Sequence, residues 1–508
     1  MAAVHEVRRA VSRLRRLPRT DAWYAAAVGG FTFLLAFDKG GFALSSRATF
    51  AISVWWALLL GIGLGVWPRA PVSRTAQLTG VLLAAFTTWT FASIWWTRNP
   101  ENAFLEFNRL TLYLGLFLLA VVAGSRANVG RWADGLTLGI VAIGVVALLS
   151  RLFPYLFSLQ GLPTFLPYAV TRLSFPLGYW NGLAIFVAFG YPLCLRAAMS
   201  SRLGWVRALA IAPLPALSAV IYLTSSRGGV ACALLGILVF IAATEQRWTA
   251  LGAIVVGTLG SILAIATLLP RHELTDGPVR SGEAASQGRA AFFLILAICT
   301  ATAGLFALGQ RILGSYRPSR AVGRTLLVAG LLALFAGVVL AHPARRFDEF
   351  KRLPAQSAPL QGSSFVQAHL LSGSGSGRWQ FWTAAAQEWK SAPVEGRGAG
   401  SYEAWWAQHA SFSYFVRNAH SLYLEVLGEL GVVGFLLLGG AFVYGGSVAI
   451  DRVRRAPPGE RATMAALTAV LAGFFLGAGI EWIWQLAAVS GVGLISLGLL
   501  TGPATAVS

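Results

Sequence analysis

Residues 251–269 read LGAIVVGTLGSILAIATLL, nineteen residues without one charge. At 1.5 Å per residue, a helix of that length spans about 30 Å, the thickness of the hydrocarbon core of a bilayer. Similarly long apolar runs recur at 290–309 and 325–341, and with isolated carboxylates at 132–150 (Asp134) and 422–446 (Glu425, Glu429). Composition agrees, because 56% of residues are hydrophobic and only 12% are charged, against about 25% charged in soluble domains. A single soluble core cannot bury that much apolar side chain. The chain therefore reads as an all-α protein, a polytopic bundle of transmembrane helices, and not as a soluble enzyme.

The net charge of +20 points away from nucleic acid, because the basic residues sit in short clusters between apolar runs and line no single face. Short arginine-rich loops stay cytoplasmic, and this rule threads the chain. About 14 spans (12 to 14) result, near 22–37, 50–67, 76–94, 108–124, 132–150, 175–195, 207–223, 228–244, 249–269, 290–309, 325–341, 421–446, 464–482 and 486–502. Every second loop is basic, from Arg69 and Arg74 through to Arg452, Arg454, Arg455 and Arg461. The pair 249–269 and 290–309 fits least well, since the loop between them carries Arg271, Arg280 and Arg289. The basic tail from Arg8 to Arg19 puts the N-terminus in the cytoplasm, and the C-terminus follows it there. Three regions of one integral membrane unit are expected: spans over 1–341, a long extracytoplasmic loop over 342–418, and spans over 419–508. Cys194, Cys232 and Cys299 all lie in apolar runs, so neither a disulfide framework nor a metal site is implied, and no cofactor is expected.

Ionisable groups at membrane depth are expensive, so each is a candidate for function. Thr224-Ser225-Ser226-Arg227-Gly228-Gly229 interrupts two apolar runs on the outer side; a tight turn with a snorkelling arginine is the plain alternative. In the long loop, Ser376-Gly377-Arg378-Trp379 leads to Trp382 and then to Gly396-Arg397-Gly398-Ala399-Gly400. Dense glycine lets backbone approach a ligand, and arginine offers a planar fork that matches phosphate oxygens. Trp379, Trp382, Ala386 and Trp389 fall on one face of an expected amphipathic helix over 378–390. These tryptophans, with Trp405 and Trp406, are placed to stack on sugars or to hold a lid at the interface. The third constellation, Asn418-Ala419-His420-Ser421, opens a long apolar helix that continues through Glu425 to Glu429 and Gly431. A histidine there can titrate near neutral pH and serve as a base.

In the order and content of these motifs the chain resembles the O-antigen ligase and polymerase superfamily of bacterial envelope polysaccharide proteins. An outer Ser-Arg-Gly turn, a loop with a Gly-Arg-tryptophan motif, and a His-Ser segment with Glu-x-Gly entering the next helix match at Arg227, Arg378, His420, Glu429 and Gly431. The stretch from Arg172 to Asn181 also looks like the family's segment before a central span. The resemblance covers roughly residues 172–445, and the chain departs from it in carrying about two spans more than the family's usual dozen.

The resemblance implies an inverting glycosyltransferase of the cytoplasmic membrane that takes a polyprenyl-diphosphate-linked glycan as donor and a glycan or lipid as acceptor. Arg227 and Arg378 would hold the diphosphate, His420 would be the catalytic base, and Arg172, Asn181, Trp382, Glu429 and Glu481 would support them. The ligase and polymerase readings share these residues. A polytopic transporter is the rival from another class, but it should show paired broken helices in two repeated halves, and these are not seen in the sequence.

Overall fold

The computed structural model describes residues 22–506 apart from 69, 158–170, 277–279, 314–318, 320, several positions between 326 and 341, and 355–364. The basic tail around Arg8–Arg19 and most of the expected span at 325–341 lie outside the described residues. Among the described residues there is no strand, and ten helices are long and apolar enough to cross a membrane. Three shorter apolar helices, Trp23–Phe37, Arg227–Ala243 and Ala487–Thr501, accompany them. The architecture is a polytopic all-α helix bundle. The expected total of fourteen spans is not reached by length and composition alone.

The helices that carry the argument are α1 (Ala22–Phe37), α2 (Leu44–Gly63), α3 (Arg74–Ala92), α4 (Pro100–Ala123) and α5 (Val129–Leu152). They continue as α6 (Trp180–Ala188), α7 (Gly190–Ser200), α8 (Gly204–Ile211), α9 (Leu214–Thr224) and α10 (Arg227–Ala243). Next come α11 (Arg247–Leu268) and α12 (Gly282–Leu313). The loop helices are α13 (Pro343–Lys351), α14 (Phe365–Leu371), α15 (Arg378–Ser391) and α16 (Tyr402–His409). The chain ends with α17 (Leu422–Arg455), α18 (Arg461–Ile480) and α19 (Ala487–Thr501).

Every residue of α19 is buried, and α6 with α7 is nearly so; these helices form the centre of the bundle. At its rim, α11 and α12 leave much of their surface outward. Lipid tails are as apolar as leucine, so helix contact in a bilayer depends on close fit instead of a hydrophobic driving force. Small residues supply that fit between α1 and α5, where a side chain at Gly135 would come within 2.7 Å of Val28 and one at Gly139 within 2.8 Å of Thr32. The spans 180–200 and 204–224 are each divided near a proline, Pro192 in one and Pro213 in the other. A proline removes one backbone donor and crowds the preceding turn, which breaks a helix.

Two helices start earlier than the apolar runs predict. The spans expected at 50–67 and 108–124 begin at Leu44 and Pro100, and each thereby takes in charge, Arg47 in α2 and Glu101 with Glu106 in α4. A charge inside the helix ended the apolar run early, although the helix itself continues.

The segment from α15 to the start of α17 folds at one end of the bundle around its own small core of Phe381, Ala384, Ala385, Tyr402, Trp406, Val416 and Ala419. The buried stripe of α15 is therefore Phe381, Ala384, Ala385 and Glu388, not the expected tryptophan face, because α15 packs down on Gly428 of α17. Trp406 belongs to this core and donates to the Tyr414 carbonyl at 2.7 Å, which removes it from any sugar-stacking role. The glycines at 396–400 also have a structural use. At Gly431 (φ 64°, ψ −167°) α17 opens, and the loop backbone lies in the gap: Gly398 donates to the Glu429 carbonyl at 2.7 Å, and Val432 to that of Pro393 at 2.9 Å. A side chain at Gly431 would meet the Val394 carbonyl at 2.1 Å. Gly431→Ala should thus lower stability by about 1–3 kcal/mol or more and loosen the loop from the bundle. Thermal unfolding in nanodiscs measures this, and an unchanged midpoint would show that the helix break does not depend on glycine.

Candidate functional site

The loop module closes over the end of the bundle where α9 and α18 finish and where α6, α10 and α17 begin. Helix N-termini carry partial positive charge and free N–H groups, so this end is disposed towards anions.

The turn before α10 is set by Ser225 in the left-handed region (φ 53°) and by Ser226, whose hydroxyl accepts from the Gly229 N–H at 3.1 Å. Arg227 then starts α10 half-buried and reaches into the loop, donating to the carbonyl of Ser374 at 2.6 Å and to that of Ser372. The turn is as tight as the plain reading expected, but the arginine is engaged inward and does not snorkel. Gly377 (φ 89°) caps α15 and delivers Arg378. Arg378 donates to the Ile480 carbonyl at 3.1 Å, to the Gly375 carbonyl at 3.3 Å, and forms an ion pair with Glu481. Glu481, whose side chain is 3% exposed, ends α18 and also accepts from the Tyr179 hydroxyl.

Arg172 comes in from the loop before α6. Its Nε donates to the Thr224 carbonyl at 2.8 Å, and its Nη2 donates at 3.1 Å to both Asn181 Oδ1 and the Ser225 carbonyl. Asn181 in turn donates to Tyr179 at 2.9 Å. Arg172, Asn181, Tyr179, Glu481 and Arg378 thus form one chain of polar contacts, and Arg227 lies within electrostatic reach of Arg378 and Glu481.

His420 closes the group. It has φ 56°, a strained geometry for a residue other than glycine, and such strain is found at functional sites. Its Nδ1 contacts the Asn418 carbonyl at 3.0 Å, its ring lies 5.2 Å from Phe381, and Trp382 donates to its carbonyl at 3.5 Å. Asn418 and Ala419 are anchored by Glu425, which accepts from the Ala419 N–H at 2.7 Å and from Asn418 at 3.2 Å. Burial pushes the His420 imidazole down to about 4, with Glu481 opposing the shift and Arg378 adding to it. The sequence expectation of near-neutral titration is corrected: the ring is held neutral, which leaves Nε2 able to accept a proton.

Of the expected residues, Arg172, Asn181, Arg227, Arg378, His420 and Glu481 come together, and Trp382 supports His420 from behind. Glu429 does not join them. It accepts from the Gly400 N–H at 2.9 Å and from the Tyr402 N–H at 3.1 Å, so it caps α16 and secures the glycine loop. Arg397 likewise turns away, stacking on Trp405.

Sequence reasoning missed Tyr179 and His369. His369, on α14, is surrounded by positive charge: burial, then Arg172, Arg227 and Arg378, push it down to about 3. It stands four residues before the Gly-Ser run that delivers Arg378, a local signal for the site, but no motif marked it.

A polytopic membrane protein with three arginines, a neutral histidine and one buried carboxylate gathered under a folded loop is the class that fold and site define. Residues 283–439 match the family model described as O-antigen ligase, so over that segment the chain is similar to this family. The matched segment includes Arg378 and His420, whereas Arg172, Arg227 and Glu481 lie outside it. No curated protein matches the chain.

Proposed function

We propose that the protein is an inverting glycosyltransferase of the O-antigen ligase type, moving a glycan from a polyprenyl-diphosphate carrier to an acceptor hydroxyl on the outer face of the cytoplasmic membrane. The observation that supports this most is the convergence of Arg227 and Arg378 with a neutral His420 around Glu481. Arg378 uses three of its five N–H donors within the protein, and Arg227 uses two; the rest serve the oxygens of the diphosphate. His420 takes the proton of the acceptor hydroxyl as its oxygen bonds to the anomeric carbon. The bond from that carbon to the diphosphate breaks on the opposite face, and polyprenyl diphosphate leaves with the electron pair. A diphosphate leaves without protonation, so no general acid is needed, and the arginines supply the charge stabilisation that a metal gives elsewhere.

Donor binding also bears on the base. A diphosphate brings negative charge into a cluster of arginines, and negative charge nearby raises the proton affinity of an imidazole. The base is thereby brought towards its working range only when the donor is bound.

Vesicles containing the purified protein should release polyprenyl diphosphate from a lipid-linked oligosaccharide when an acceptor glycan is supplied. Release that is equal for the wild type and Arg378→Ala would refute the proposal. The orientation has its own test. Beyond its opening at Gly431, α17 runs on to Arg455, about 36 Å of continuous helix at 1.5 Å per residue, enough to cross the hydrocarbon core. Reporter fusions at Ser374 and Arg454 should report opposite compartments, Ser374 outside. The same compartment at both would overturn the threading.

A further inference from the structure

A second charged group lies away from the arginine cluster, at the same end of the bundle. Arg47 on α2 is 3% exposed and Arg109 on α4 is 5% exposed. Arg109 forms an ion pair with Glu106 one turn away, and the charges of Arg109 and Glu106 act on Arg47. The Arg47 side chain has no hydrogen bond or ion pair with any described residue. Its Nε, the Nε of Arg109, Oδ1 of Asn108 and Oγ of Ser46 are all buried without a hydrogen-bond partner. Buried polar atoms in proteins are paired almost without exception, and in lipid no bulk water relieves them. Four orphans at one place, three of them donors, are therefore a specific arrangement. The two arginines face a single close carboxylate, since the next one, Glu425, is engaged by Ala419, Asn418 and Gln485.

Beside them, between α2 and α4, runs a groove of about 310 Å³ lined by Ala48, Ile52, Trp55, Trp56, Leu59 and Asn108. Its outer wall faces the lipid, with Ile52 58% and Trp56 56% exposed. The wall is apolar, and Trp55 turns its one polar atom inward to the Thr111 carbonyl at 3.2 Å. Asn108, one of the orphaned residues, lines this groove, and Arg47 and Arg109 are the chain neighbours of its lining residues Ala48 and Asn108; unpaired guanidinium donors beside a lipid-facing apolar groove match an amphiphile with an anionic head and a hydrocarbon chain.

We propose that Arg47 and Arg109 form a binding site for the phosphate of an anionic phospholipid whose acyl chain lies in the groove between α2 and α4. The site is separate from the donor site, and it stands or falls independently of the reaction proposed above. The two sites are linked through the fold: Tyr113, one turn after Arg109, donates to the carbonyl of Trp484, three residues beyond Glu481.

The full-length protein in detergent, studied by native mass spectrometry with added phosphatidylglycerol, phosphatidylcholine or inorganic phosphate, tests this. The wild type should retain one phosphatidylglycerol more tightly than phosphatidylcholine, and Arg47→Gln should weaken that retention about ten- to hundredfold. The Arg47 side chain has no hydrogen-bond or ion-pair partner among the described residues, so its loss leaves none of them unpaired. Ala48→Trp fills the groove, keeps every charge, and should abolish retention as well. Ala48→Trp also gives the answer if Arg47→Gln fails to fold. Equal phosphatidylglycerol binding in the wild type and the variants would overturn the proposal. Inorganic phosphate binding that survives Ala48→Trp would reduce the site to a plain anion site and overturn the lipid assignment. Displacement of phosphatidylglycerol by polyprenyl diphosphate would overturn the claim that the two sites are separate.

Discussion

His420→Ala should slow glycan transfer by roughly 10²–10⁴-fold, the usual worth of a positioned base, with donor affinity little changed because the arginines hold the diphosphate. Lipid-linked donor affinity and single-turnover rate, measured on the same variant, separate the two effects. If affinity collapses and bound donor still reacts at the normal rate, His420 is a binding residue and the assigned role is wrong. The pH dependence makes the same point in the wild type. Because burial holds the imidazole down to about 4 in the free protein, kcat/KM should stay level through the neutral range and fall only as pH approaches that value. In the donor complex the diphosphate favours the protonated ring, so the acid limb of kcat should lie at higher pH than that of kcat/KM. Coincident limbs would show that the donor's charge is not felt at His420.

The second large effect is expected at the arginines. Lysine keeps the charge but loses the planar fork that reaches two acceptors at once. Arg378→Lys and Arg227→Lys should each lower kcat/KM about ten- to hundredfold, corresponding to one charge-assisted hydrogen bond of about 1.5–3 kcal/mol, while the protein still inserts. Wild-type activity in both lysine variants would mean that these residues only brace the loop. Glu481 provides a contrast. It fixes Arg378 by an ion pair and holds Tyr179, so Glu481→Gln should act on the same step as Arg378→Lys. The double variant should then lose less than the product of the single losses, as residues in direct contact do.

The class of fold was legible because each membrane crossing is written locally, as a run of apolar residues long enough for the bilayer. What the sequence obscured is where local composition and helix disagree. Arg47 in one helix and Glu101 with Glu106 in the other shortened two expected spans, although a helix tolerates such groups when neighbouring helices bury them. The central helix α19 could not be told from its lipid-facing neighbours, since both are apolar and only packing distinguishes them.

At the site, Arg227, Arg378 and His420 stood out because polar residues interrupt apolar runs there. The resemblance also put Glu481 among the supporting residues, but its pairing with Arg378 was not readable, because the two are 103 residues apart in the chain. The glycines at 396–400 misled for a physical reason. Glycine permits close approach of any backbone, and here the approaching backbone is that of the opened helix at Gly431 and not a ligand. His369 carried no motif, and only the fold, which brings it within electrostatic reach of the three arginines, puts it in view.

The central claim, a single displacement from a lipid diphosphate assisted by arginine and histidine, is tested most directly by the products of one turnover. Purified protein in vesicles with a chelator present should transfer the glycan with inversion at the anomeric carbon and release one polyprenyl diphosphate for each bond formed. Retention of configuration, or release of polyprenyl monophosphate, would contradict it.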